Sequence, residues 1–137
     1  MNLLELNNVS YKYNGSNKYV LRNLDYKFNC GNIYAIIGKS GAGKTTLLSI
    51  LSSLAKPTEG QILLNGEDIS KLDKYKFRSN SVGVIFQSFN LLTHLTALEN
   101  VMLSMDVSSV IIKDKKSHAK ELLEKVEIDQ TDITDAY

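Results

Sequence analysis

The stretch GKSGAGKTT, Gly38 to Thr46, constrains this chain more than any other. Gly38, Gly43, Lys44 and Thr45 meet the spacing G-x-x-x-x-G-K-[ST]. The flanks suit a phosphate loop: the apolar run IYAII (33–37) precedes it, and a helical pattern from Lys44 to Ala55 follows and stops before Pro57. Gly38, Gly41 and Gly43 let the backbone turn tightly and aim its N–H groups at phosphate oxygens, with Ser40 in the same cradle. Lys44 supplies a mobile ammonium for the terminal phosphates, Thr45 a hydroxyl for Mg2+, and Thr46 a hydroxyl for an α-phosphate oxygen. Thr46 also stands where G-x-G-x-x-G would need its last glycine, which disfavours a dinucleotide fold.

The rest of the chain reads as one soluble domain built around that loop. Residues 1–30 alternate like a β-hairpin, LLELNNVSYKY and YVLRNLDYKFN joined by NGSNK. IYAII and VGVIF (82–86) have the composition of strands buried on both faces. QILL is a short strand with a hairpin turn at Asn65–Gly66, Ser70 to Ser79 a short polar helix, and TALE (96–99) a capping box that opens a helix to about Met105. A last helix is expected over Asp114 to Val126, with the basic run KDKKSHAK on its wet face.

Charge and cysteine content narrow the class. Sixteen Lys and Arg against fifteen Asp and Glu give a net charge of +1, without the basic excess that a polyanion partner demands, so nucleic acid is not expected. The single Cys30 has no disulfide or metal-ligand partner and reads as a buried or half-buried thiol. The N-terminus lacks a secretory pattern, which points to the cytoplasm. Residues 79–98 carry no Asp, Glu, Lys or Arg, but half of them are Ser, Asn, Gln, Thr, His and Gly, so the stretch does not read as a membrane span.

Taken in order, VSYKY, GNIYAIIGKSGAGKTTLLSIL, PTEGQILLNGEDI and VGVIFQSFNLLTHLTALENV closely resemble the ATP-binding subunits of ABC transporters. The wording FQSFNLLTHLTALENV looks most like the branch that serves lipoprotein-release, macrolide-export and antimicrobial-peptide-resistance permeases. The resemblance implies that Tyr13 stacks on adenine, with Tyr11 as its competitor on the alternate strand face, and that Gln87 is the Q-loop glutamine touching Mg2+ and the attacking water. It implies ATP and Mg2+ as cofactors, a permease docked near Gln87, a second ATP-binding subunit, and a place on the inner face of the membrane. Phe89, Leu91 and Leu92 read either as lining the docking groove or as plain core. His94 and His118 receive no role.

The expected fold is α/β, a P-loop NTPase core, mainly parallel, with an antiparallel β portion: 1–30 antiparallel, 31–92 from phosphate loop to Q-loop, and 93–137 the start of a helical subdomain. Proteins of this kind continue into an LSGGQ signature, a Walker B aspartate and a catalytic glutamate. None occurs in these 137 residues, so the chain is expected to be an N-terminal portion that binds ATP without hydrolysing it. Two rival readings share the loop: an ABC-type ATPase of DNA repair or chromosome maintenance, which would place a long coiled coil after the Q-loop, and a regulatory module that never hydrolyses.

Overall fold

The computed structural model describes residues 2–88, 90–108 and 111–128. The chain divides into two compact units, Met1–Gly83 and Val84–Tyr137. In the first, β1 (Asn2–Lys12) and β2 (Tyr19–Asn29) form the long hairpin that the alternation calls for. β3 (Glu59–Leu64) pairs antiparallel on the other side of β1, and β4 (Glu67–Asp68) folds back on β3, giving the order β2-β1-β3-β4. The β3–β4 turn is the expected Asn65–Gly66 pair, both at positive φ, 51° and 88°, as a two-residue turn of this hand requires.

β1 is paired along both edges. Its register with β2 shifts at four places and its register with β3 at one; the shifts on the two sides coincide between Leu6 and Ser10, where Asn8 has φ 50°. The Asn8 amide donates to Asp25 Oδ1 at 2.7 Å, while the buried Ser10 hydroxyl donates to Asn23 Oδ1 and accepts from the Asn23 amide. The bulge turns Leu6, Val9 and Ser10 all inward, a pattern no period of two could give. Gly60 passes so close to this bulge that a Cβ would lie 2.2 Å from the carbonyl oxygen of Asn8. That approach explains the glycine of PTEG.

The core joins Leu6, Val9, Leu21 and Ile62 of the sheet to Ile50 of α1 (Lys44–Leu51), Ile69, and Phe77 of α2 (Lys74–Ser81). α1 ends at Leu51, short of the expected Ala55. The Ser52 hydroxyl donates to the Leu48 carbonyl, Ser53 turns to φ 57°, and the amides of Leu54 and Ala55 both donate to the Ser49 carbonyl. These bonds close the helix ahead of Pro57. Its buried face is Thr46 and Ile50, whereas Leu48 and Leu54 stay exposed. α2 starts one turn later than expected, where the Asp73 side chain accepts from the amides of Tyr75 and Lys76.

Two strand expectations fail. Neither 33–37 nor 82–86 pairs in a sheet, and Ile33, Ile37 and Ile85 are 101%, 90% and 97% exposed. Buried parallel strands take their order from neighbours on both sides, and the described residues hold no such neighbour for either run. The observed sheet is therefore wholly antiparallel rather than mainly parallel. Cys30, expected buried or half-buried, is exposed beside the Gly31 turn, where φ reaches 78°.

The second unit pairs α3 (Ala97–Val107) with α4 (Lys115–Lys125). Leu98 and Met105, two turns apart, meet Ala119 and Leu123, one turn apart, in a small core. Lys115 forms an ion pair with Asp106 across the two helices. The capping box is present as read: the Glu99 amide donates to Thr96 Oγ1, and the Thr96 amide to Glu99 Oε2.

Candidate nucleotide-binding site

The loop 38–43 leads directly into α1, whose N-cap is Gly43. Glycine offers no side-chain cap, so the first-turn N–H groups of α1 are left for an external acceptor. Lys44 reaches back over the loop and donates to the carbonyl oxygens of Gly38 and Lys39, both at 2.8 Å. Its ammonium thus sits on the loop rather than pointing out to water. Gly43 has φ 89°, and a Cβ there would lie 2.9 Å from Leu21 Cδ2 and 3.1 Å from Val20 Cγ1, so this glycine also lets α1 begin against β2. Uncapped N–H groups with a cation folded among them form a donor set suited to a polyphosphate. Ser40 and Gly41 are exposed on the same loop, and Thr45, in the first turn of α1, is exposed too, its carbonyl accepting from Ser49 Oγ.

Thr46 stands differently from its neighbour. It is 7% exposed, and its Oγ1 lies 2.8 Å from the Tyr13 hydroxyl. Tyr13, just past the end of β1, is 53% exposed and meets Tyr11 edge-on, with ring centroids 5.1 Å apart. Tyr11 packs against the sheet core. Of the two tyrosines it is therefore Tyr13 that reaches the first turn of α1. The backbone before it is held by Thr58, whose Oγ1 accepts from the Lys12 amide while its own amide donates to the Ser10 carbonyl. A cleft of about 690 Å3 opens beside Tyr13, bounded by Lys12, Asn14, Leu54, Pro57 and Thr58. Close by, the Tyr19 hydroxyl donates to Glu59, and the Glu59 carboxylate pushes the Tyr19 pKa up.

Gln87 lies in the second unit, exposed and outside any regular element. Leu91 and Leu92 are exposed as well, and Phe89 lies outside the described residues. The structure thus brings Tyr13 to Thr46 and Lys44 to the loop, and describes Gln87 by itself. One contact and one residue escaped the sequence reading. The contact is that of the Thr46 hydroxyl with Tyr13. The residue is Asn100, whose side chain accepts from the Leu92 amide and donates to the carbonyls of Leu92, Leu95 and Thr96, fixing the turn that enters α3. An asparagine in the first turn of a helix was the available signal, because its amide can serve backbone groups on both sides.

A family model described as "ABC transporter" matches residues 21–136. The chain belongs to the ABC transporter family. Among its ABC relatives, the uncharacterized ABC transporter ATP-binding protein YclH of Bacillus subtilis is 38% identical over 130 residues, covering 95% of this chain and 58% of that protein. The methionine import ATP-binding protein MetN 2 of Enterococcus faecalis is 41% identical over 130 residues, 92% of this chain and 38% of that protein. The dimeric structure of the ATP-binding cassette MJ0796 in a post-hydrolysis state, bound to ADP and Pi, matches with a TM-score of 0.84 at 32% identity, over 98% of this chain and 61% of that one. Its fold class is accordingly that of an α/β P-loop ABC ATPase. The chain spans well under two thirds of each of these ABC proteins.

Proposed function

We propose that this chain is the nucleotide-gripping part of an ATP-binding subunit that energises an ABC transporter. The observation that carries the reading is the phosphate loop: Lys44 folded over the carbonyls of Gly38 and Lys39 at the uncapped start of α1. A triphosphate entering the loop takes the ammonium from those carbonyls, because a charge-assisted bond to phosphate is stronger than one to a neutral carbonyl. Gly38, Ser40, Gly41 and Gly43 shape the backbone donors around the phosphates, and Thr46 meets the α-phosphate. Tyr13 offers its exposed ring face to adenine. The Thr45 hydroxyl would hold Mg2+, which when bound would supply positive charge at the terminal phosphates, and the Gln87 amide is the second Mg2+ ligand that the family resemblance implies.

The partner expected at the Gln87 segment is a membrane permease, which exposed Leu91 and Leu92 suit. A second ATP-binding subunit is expected too, since the matching cassette is described as dimeric. Among the described residues no helix is long and apolar enough to cross a membrane. The place proposed for the subunit is the inner face of the membrane, beside its permease. Within the family, the lipoprotein-release and macrolide-export branch rests on the wording of the Gln87 segment alone. We infer that these 137 residues by themselves bind ATP without turning it over.

The test is ligand-linked melting. Mg2+ with ATP at about 100 times Kd adds about 2.7 kcal/mol to the native state and raises Tm accordingly. Lys44→Ala removes most of that rise. Equal shifts in the two proteins would refute the assignment.

A further inference from the structure

Tyr13 is half in solvent, and a ring so placed needs something to set its plane before a base can stack on it. Thr46 provides a fixed point. It lies in the first turn of α1, is 7% exposed, and its hydroxyl is 2.8 Å from that of Tyr13. Among the described residues this is the one side-chain hydrogen bond between the β-hairpin and α1. Either hydroxyl can donate, but a phenol is a better donor and a poorer acceptor than an aliphatic hydroxyl, which favours Tyr13 as the donor and Thr46 as the acceptor. That direction leaves the Thr46 proton free to donate onward. Each bond in such a chain strengthens the next.

We propose that the Tyr13–Thr46 hydrogen bond couples recognition of the base to recognition of the phosphates, with Thr46 as a positioning residue for the Tyr13 ring. The proposal rests on the reading of Tyr13 as the adenine platform and of Thr46 as a phosphate ligand. Base and polyphosphate are then not gripped independently. The hydroxyl that meets the phosphate is the one that orients the aromatic ring, and a phenylalanine in place of Tyr13 keeps the stacking surface yet loses the link.

A double-mutant cycle on the 137-residue chain tests this, with Kd for Mg2+–ATP and for Mg2+–tripolyphosphate measured by calorimetry. Tyr13→Phe is expected to weaken ATP by roughly three- to tenfold, the factor a net hydrogen bond supplies. It should also weaken tripolyphosphate, which has no base to stack. In a Thr46→Val background the Tyr13→Phe change costs nothing further, and Thr46→Ser restores the coupling. Tyr13→Phe binding ATP as the parent does, or losing as much in the Thr46→Val background as in the parent, overturns the coupling. Tyr13→Ala separates the two levels: if it leaves the preference for ATP over tripolyphosphate intact, the adenine assignment itself falls. If that preference drops while Tyr13→Phe is silent, the assignment stands and only the coupling falls.

Discussion

Gly43 and Gly41 carry the same conformational burden and different surroundings. Both have positive φ, 89° and 77°, but a Cβ on Gly41 meets nothing within 4 Å, whereas one on Gly43 would press on Leu21 and Val20. Gly41→Ala should therefore cost only left-handed strain, about 1–2 kcal/mol. Gly43→Ala adds crowding of a packed contact, about 1–3 kcal/mol more. Urea midpoints of the two variants should differ in that order, and equal losses would show that Leu21 and Val20 give way freely. At this scale the sequence was informative about chemistry and poor about partnership. Lys44, Thr45 and the glycines are legible because their spacing is the mechanism. The Tyr13–Thr46 pair spans 33 positions, and no local pattern encodes a contact of that reach.

Elements held by neighbours in sequence were readable, and those held by distant strands were not. The Asn65–Gly66 turn and the capping box at Thr96 are specified by residues a few positions apart, and the hairpin by two alternating strands that adjoin in sequence. The runs 33–37 and 82–86 have strand composition but need partners to become strands. The bulge at Asn8 was hidden because one extra residue shifts the alternation without leaving a compositional mark. The capping box also makes a pH prediction. The Thr96 backbone amide, and then its hydroxyl, hold the Glu99 carboxyl below the ordinary value of 4.5. A depressed folded pKa means that the ionised form stabilises the fold: the contribution is present above the ordinary value and is lost as pH falls through the lower, folded value. Protection factors at the start of α3, corrected for the intrinsic pH dependence of amide exchange, should fall on acidification through that window. Glu99→Gln should flatten the dependence, and Thr96→Ala should cost about 1 kcal/mol at neutral pH. An α3 whose protection is indifferent to acid in both the parent and Glu99→Gln would remove Glu99 from the cap.

The whole molecule carries apolar residues where water now is. Ile33, Ile37 and Ile85 are almost fully exposed and Phe86 is 49% exposed, on segments whose backbone makes no sheet pairing. Burying one such isoleucine is worth about 1.5–3 kcal/mol, and unpaired backbone beside it offers a template for strand addition. Self-association recovers both. The protein should grow in mass with concentration by light scattering, and Ile33→Lys with Ile85→Lys should restore a monomer without loss of stability, because neither side chain contributes to a core in the monomer. On the proposed reading, a polypeptide of these 137 residues alone should release no phosphate beyond background at saturating Mg2+–ATP, since hydrolysis needs carboxylates that hold Mg2+ and orient water and none of these residues is assigned that role. Repeated turnovers that vanish in Lys44→Ala, from a monodisperse monomer, would mean both that the exposed runs are satisfied in solution and that other groups on the chain supply the missing carboxylates.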